Sequence, residues 1–164
     1  MTTRPFNTLL IGVGNPFRSD DGVAGAVIRR IHGEHPAAVQ LLEETGDGAE
    51  LLDAWKGANT VILIDAVQSG APSATLYRFD AHAEKLPVWF SHCSTHAFGV
   101  AEAIELGRTL GELPPQLIVY AIEGLNFSPG IELSPEIAEV VPHVAARILD
   151  ELRQLTPVAG ARTL

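Results

Sequence analysis

Apolar residues fall into runs of strand length and into patches of helical spacing, and the two kinds alternate along the chain. The runs cover residues 8–13, 39–42, 60–67 and 117–122. Helical spacing of apolar residues lies between them, at positions 23–31, 51–55 and from about 97 to 110. Strands that alternate with helices are typical of an α/β fold, with right-handed crossovers between parallel strands.

Two further segments complete the predicted fold. Residues 74–79 alternate between apolar and polar, after a turn-prone stretch, which favours a hairpin strand added antiparallel at the sheet edge. Ser134-Pro135 opens a long amphipathic helix to about Leu155, and Pro142 should kink it. We therefore expect one α/β domain over residues 1–156, a twisted, mostly parallel sheet with helices on both faces, and a disordered tail at 157–164.

Composition and charge narrow the partners that this fold could have. The chain has 164 residues and a formal net charge of −9, which disfavours binding to nucleic acid or to an anionic membrane. Cys93 is the only cysteine, no apolar signal region follows Met1, and no run spans a bilayer. We expect a cytoplasmic protein, with a monomer as the default.

Polar residues that follow the predicted strands are the first candidates for chemistry, because ligand sites of open α/β sheets lie beyond the carboxyl ends of strands. Asp20 and Asp21 follow a glycine-containing turn after the first strand. They could simply cap the next helix, although one acidic residue would be enough for that role.

Asp65 and His96 are the other two candidates. Asp65 lies inside an otherwise apolar strand, where an unpaired carboxylate would cost several kcal/mol. The alternative role of Asp65 is to accept hydrogen bonds from neighbouring loop amides. The alternative for His96 is a surface position, because a lone histidine is more often a surface residue than a ligand. Together, Asp21, Asp65 and His96 offer oxygen and nitrogen donors suited to nickel, zinc or manganese.

These motifs resemble those of the hydrogenase maturation endopeptidase family. The resemblance rests on Gly12-Val13-Gly14-Asn15, Asp20-Asp21-Gly22-Val23, Ile64-Asp65-Ala66-Val67 and Ser94-Thr95-His96, in this order, and covers roughly residues 8–150. It implies a protease that removes the C-terminal extension of a nickel-iron hydrogenase large-subunit precursor. The nickel is carried by that substrate, and another divalent metal is the alternative occupant of the isolated protein.

The resemblance also implies roles for individual residues. Asp21, Asp65 and His96 correspond to the nickel-sensing site, and we expect them, with Asp20, to be catalytic. Asn15, Glu43 and Thr45 are expected to bind the substrate. Around Glu43 the chain departs from the family pattern Asp-Gly-Gly-Thr, so Glu43 could equally belong to a solvated acidic turn.

Water could be activated in two ways, either by binding to nickel or by a carboxylate base, Asp20 or Asp21. A cysteine protease built on Cys93 with His92 or His96 is one alternative. Another is a non-catalytic nucleotide- or metal-binding module, although Phe17 stands where the dinucleotide fingerprint needs its third glycine. The six histidines are scattered and form no metal-storage run.

Overall fold

A computed structural model describes residues 8–93 and 96–156 of the chain. The expected disorder of residues 157–164 concerns residues outside this part. The strands are β1 (Thr8–Val13), β2 (Val39–Glu44), β3 (Thr60–Val67), β4 (Leu76–Asp80) and β5 (Gln116–Glu123). A 3₁₀ turn (Ser19–Gly22) precedes the helices α1 (Val23–Ile31), α2 (Gly48–Ala54), α3 (Val88–Ser91), α4 (Val100–Leu110) and α5 (Pro135–Leu155).

The strands form one five-stranded sheet in the order β2-β1-β3-β5-β4. The pairs β1–β2, β1–β3 and β3–β5 are parallel, and β4 is antiparallel to β5. The predicted α/β domain, with its mostly parallel sheet and antiparallel edge strand, is therefore confirmed.

The expected hairpin between β3 and β4 is wrong, because β5 lies between these two strands. Seven of the eight residues of β5 are buried, whereas one of the five residues of β4 is. A strand that is apolar on both faces gains most from an interior place in the sheet, and the more polar strand takes the edge.

Helices cover both faces of the sheet, and the alternation of side chains along the strands decides which face each residue joins. Leu10, Ile62 and Ile64 point to the face that α1 and α5 cover. Their neighbours in the strands, including Ile11 and Leu63, point to the face covered by α2, α3 and α4. Two apolar cores thus lie on either side of one sheet.

Some element boundaries differ from the predicted ones. β2 continues two residues beyond the apolar run, to Glu44. α4 begins at Val100, after Gly99, whose N–H donates to the carboxylate of Glu102 at 3.2 Å. α5 runs as one helix through Pro142, so the expected kink stays a prediction. The short helix α3 had no periodic signal because it has only four residues.

None of the helices in the part of the chain that the structure describes is both long and apolar enough to cross a membrane. The four parallel strands β1, β2, β3 and β5 all end at the same edge of the sheet. The loops that follow them therefore meet there, which is the place where ligand sites form in open α/β sheets.

Truncating a buried isoleucine and an exposed one tests the described packing, because both substitutions remove the same atoms. Ile64 is 0% exposed and Ile131 is 79% exposed. We expect Ile64→Ala to lower the free energy of unfolding by about 2–5 kcal/mol, because it leaves a cavity. The matched Ile131→Ala should change it by less than about 0.5 kcal/mol. Urea unfolding followed by circular dichroism measures both, and equal losses would contradict the described packing.

Candidate active site

The loop that follows β1 places Asp21 through backbone contacts. Gly14 has a φ of 150°, and a Cβ there would lie 2.0 Å from the carbonyl oxygen of Asp21, so only glycine fits. The Asn15 N–H donates to Asp21 Oδ2 at 2.8 Å. The Asp21 N–H donates to the Arg18 carbonyl at 3.1 Å. Asp21 is thereby held at both its main chain and its carboxylate.

Asp65 lies near the end of β3, the strand next to β1. The register sets Gly12 of β1 opposite Ile64, so that Val13, the last residue of β1, lies beside Asp65. Because side chains alternate along a strand, Asp65 faces the same side as Leu63, towards α2 and α4. This orientation brings its carboxylate to the segment that precedes α4.

His96 belongs to that segment, a few residues before α4. Its imidazole lies beside Gly46, which follows Thr45 in the connection from β2 to α2. Ser94 and Thr95, which complete the predicted Ser-Thr-His motif, lie outside the described residues. The connections after β1 and β2 and before α4, together with the carboxyl end of β3, thus converge on one place.

These side chains line a single, largely polar pocket at the carboxyl edge of the sheet. Asp21, Asp65 and His96 are all part of its wall. The full lining consists of Val13, Gly14, Arg18, Asp21, Thr45, Gly46, Asp65, Gln68, His92, Cys93, His96, Val100 and Phe127. The structure therefore brings together the three residues predicted as metal ligands, together with Thr45.

Both pocket carboxyl groups are harder to ionise than ordinary aspartates. Burial raises the pKa of Asp65 well above its usual range, and the negative charge of Asp21 raises it further, against a hydrogen bond from the Ala66 backbone. Burial also raises the pKa of Asp21, while the Asn15 N–H and the charges of Arg18 and His96 act in the opposite direction. A cation or a hydrogen-bond donor in the pocket would relieve this repulsion.

Within residues 8–93 and 96–156, no group of three or more His, Cys, Asp or Glu side chains is arranged to hold a metal ion. The predicted ligands line one pocket without forming a preassembled metal centre among the described residues. Their role as ligands stays a prediction.

Comparison with known proteins adds to this geometry. The family model described as hydrogenase maturation protease matches residues 26–151, more than half of the chain. The chain belongs to the hydrogenase maturation protease family. The endopeptidase activity class predicted from the motifs is therefore confirmed, and the alternative of a non-catalytic binding module is not favoured.

Individual relatives agree with the family assignment. Hydrogenase expression/formation protein HupD of Thiocapsa roseopersicina is 27% identical over 157 residues, which cover 94% of this protease and 71% of the relative. Hydrogenase 2 maturation protease of Escherichia coli K12 is 26% identical over 151 residues, 89% and 90% of the two chains. The solved structure of the Escherichia coli hydrogenase maturating endopeptidase HybD has the same fold, with a TM-score of 0.79, 24% identity and coverage of 92% and 94%.

Asp20, the fourth predicted catalytic residue of the protease, does not line this pocket. Its side chain is 0% exposed, and its two carboxylate oxygens accept hydrogen bonds from Leu125, Asn126 and Ser134. Burial raises the pKa of Asp20, but the hydrogen bonds outweigh this effect and lower the pKa overall. Asp20 is enclosed, and both of its carboxylate oxygens already accept hydrogen bonds, so its catalytic role stays a prediction.

The three residues predicted to bind substrate occupy different places. Thr45 lines the pocket, and its hydroxyl donates to Glu50 at 3.2 Å. Asn15 contributes its N–H to Asp21, while its side-chain oxygen accepts from Phe17 N–H at 2.9 Å. Glu43 is a residue of β2 and not of the loop after that strand. Its carboxylate lies 3.5 Å from the Arg29 guanidinium, on the α1 side of the sheet. Glu43 is therefore neither part of a turn nor part of the lining of this pocket.

Gln68, Arg18 and Phe127 are among the pocket residues that the sequence did not single out. Gln68 directly follows β3, so the strand-end argument that singled out Asp65 could have found it. Arg18 gave no signal because it lies in the middle of a loop. Phe127 was missed because a search for polar residues ignores an aromatic side chain, and it enters the pocket from the loop after β5.

The electrostatic coupling between the two pocket carboxyl groups can be measured directly. In a carbon-13 NMR titration, the Asp65 carboxyl should titrate above the usual range of aspartate. Asp21→Asn should shift that midpoint to lower pH, because it removes the neighbouring negative charge. The exposed Asp53→Asn serves as the control and should leave the midpoint in place. An unchanged Asp65 midpoint in Asp21→Asn would contradict the described proximity.

Proposed function

We propose that this protease removes the C-terminal extension of a nickel-loaded hydrogenase large-subunit precursor, and that Asp21, Asp65 and His96 engage the nickel carried by that substrate. The observation that carries the proposal is the meeting of these three side chains in one pocket of a hydrogenase maturation protease. In this view the metal is part of the substrate and serves as its recognition handle.

The chemistry of the pocket supports nickel as the recognised group. Two carboxylates and one imidazole are donors that suit a divalent first-row metal. Asp21 and Asp65 repel each other when both are charged, and burial adds to the cost of ionising them. A bound cation would favour both ionised carboxylates, so a precursor with nickel should bind better than one without it.

Substrate peptide would lie beside the same pocket. Thr45 is the expected substrate-binding residue that lines it, and we propose that it contacts the peptide. Asn15 would act through Asp21, which it holds by a hydrogen bond. Glu43 faces α1, so any contact it makes to the substrate would lie outside the pocket.

Hydrolysis needs a group that accepts a proton from the attacking water. Among the described acidic residues predicted to be catalytic, Asp21 and Asp65 line the pocket and Asp20 does not. A carboxylate within hydrogen-bond reach of the water can accept its proton. We therefore propose Asp21 or Asp65 as the proton acceptor, with substrate nickel available to polarise the water.

The alternative of a Cys93 nucleophile receives little support from its surroundings. Its thiol contacts the backbone of Gln68 and Trp89. Burial raises the pKa of Cys93, as do the negative charges of Asp65 and Glu123, so the reactive thiolate is disfavoured.

We also propose that the protease works as a cytoplasmic monomer, without a nucleic-acid or membrane partner. A net charge of −9 is consistent with the lack of polyanionic partners. The single domain would end near residue 156, at the end of α5.

The cleavage proposal predicts a nickel-dependent loss of mass from the precursor. Large-subunit precursor, prepared with and without nickel, is incubated with the protease and analysed by intact-protein mass spectrometry. We expect loss of a C-terminal peptide only from the nickel-loaded form. Asp65→Asn should slow this cleavage by at least about a hundredfold, since it removes a metal-binding or proton-accepting group.

The exposed Asp53→Asn is the matched control and should cleave like wild type. Equal cleavage of precursor with and without nickel would contradict nickel recognition. Full activity of Asp65→Asn would contradict the site.

Substitution of the cysteine tests the remaining alternative. Cys93→Ala should cleave the nickel-loaded precursor at a rate within about twofold of wild type, because the thiol is not needed as a nucleophile. The same mass spectrometric assay gives the rate. Abolished cleavage by a folded Cys93→Ala protein would favour the cysteine-protease mechanism.

A further inference from the structure

The buried carboxylate of Asp20 connects two loops at the rim of the pocket. One is the 14–22 loop, between β1 and α1, and the other is the 124–134 loop, between β5 and α5. Asp20 Oδ2 accepts hydrogen bonds from Leu125 N–H at 2.9 Å, Asn126 N–H at 2.8 Å and the Ser134 hydroxyl at 2.8 Å. Oδ1 accepts the Ser134 N–H at 2.7 Å. One side chain thus fastens both ends of the 124–134 loop.

Further contacts between the two loops surround this carboxylate. The Asp20 N–H donates to the Asn126 carbonyl at 2.9 Å, and the Ser19 N–H donates to the Gly130 carbonyl at 2.9 Å. The Ser19 hydroxyl donates to the Ser128 carbonyl at 2.7 Å. Ser19 has a φ of 53°, in the left-handed region that serine avoids unless its surroundings hold it there. Strain of this kind is typical of positions that a functional site requires.

The two loops carry opposite sides of the pocket wall. Asp21, which directly follows Asp20, and Arg18 line it from the 14–22 loop, and Phe127 lines it from the 124–134 loop. Gly124, at the start of the second loop, donates its N–H to the carbonyl of Val67 at the end of β3, the strand that carries Asp65. The contacts of Asp20 therefore link the support of Asp21 to the end of the strand that holds Asp65.

We propose that Asp20 is a positioning residue: through Ser134 and the 124–134 loop, it holds the Asp21 carboxylate in register with Asp65 for the cleavage reaction. This proposal adds a positioning residue to the proposed function, and only its activity measurement rests on that function. Most of the 124–134 loop is exposed and has no helix or strand of its own. Its position, and that of the 3₁₀ turn, depends on these hydrogen bonds.

The test measures local mobility and catalysis in the same variants. Asp20→Asn removes the charge and half of the accepting capacity of the side chain, and Ser134→Ala removes one hydroxyl donor. Ser73→Ala is the matched control, because its hydroxyl also bonds a carboxylate, that of Glu136 in the first turn of α5. Ser134→Thr keeps the hydroxyl and should restore wild-type behaviour.

Amide hydrogen exchange followed by NMR reports on the position of Asp21 without any substrate. In Asp20→Asn, exchange at the Asn15 and Asp21 amides should accelerate by at least about tenfold, and in Ser134→Ala by a few-fold. The Leu10 amide in β1 should be unchanged in both variants. Two results would overturn the proposal. One is exchange that accelerates at Leu10 as much as at Asn15 and Asp21, and the other is unchanged exchange at Asn15 and Asp21.

Kinetics on the nickel-loaded precursor complete the test. We expect kcat of Asp20→Asn to fall by about tenfold to a hundredfold and its KM to rise, because a misplaced Asp21 would both engage the substrate nickel less well and slow the reaction. Should Asp20→Asn fail to fold, Ser134→Ala and its Ser134→Thr rescue decide the same question. Wild-type kcat with locally accelerated exchange would overturn the role in catalysis. Failure of wild type to cleave would refute the proposed function instead, and the exchange data would still decide whether Asp20 holds Asp21.

Discussion

The candidate site depends on holding two carboxyl groups of like charge side by side in a partly buried pocket. Asp21 and Asp65 each lose water there, and the charge of Asp21 makes Asp65 harder to ionise. Left to relax, two such groups would separate or take up protons. The architecture around them opposes this separation, through the parallel register of β1 and β3 and through the fixed loop that carries Asp21.

This constraint accounts for features of the site that would otherwise be costly. The backbone passes through Gly14 at a φ that favours glycine, and Ser19 is held in the left-handed region. Asp20 lies buried among amide donors, although its neighbour Asp21 opens into the pocket. Adjacent aspartates thus have opposite environments and opposite pKa shifts, one lowered by hydrogen bonds and the other raised by burial. A cation carried by the substrate would complement this arrangement, because it stabilises both ionised pocket carboxylates.

Local periodicity was sufficient to predict most of the fold, since β1, α1, β3 and α5 depend on apolar spacing that is visible in short windows. Local periodicity could not predict the partner of β4, because the competition between β4 and β5 for the interior of the sheet is a long-range effect. At the site, the strand-end argument located Asp65, and the same argument extends to Gln68. It could not distinguish Asp20 from Asp21, because the donors that enclose Asp20 come from residues more than 100 positions away. The orientation of Glu43 depended on where β2 ends, and the apolar run stopped two residues too early.

Whether the pocket engages the nickel carried by the precursor can be measured at the nickel itself. Nickel-edge X-ray absorption can be recorded on the loaded precursor alone and on the precursor rapidly frozen with one equivalent of protease, either wild type or His96→Ala. We expect added imidazole scattering with wild type and its absence with His96→Ala. An unchanged nickel spectrum in a complex that size-exclusion chromatography shows to have formed would contradict this expectation.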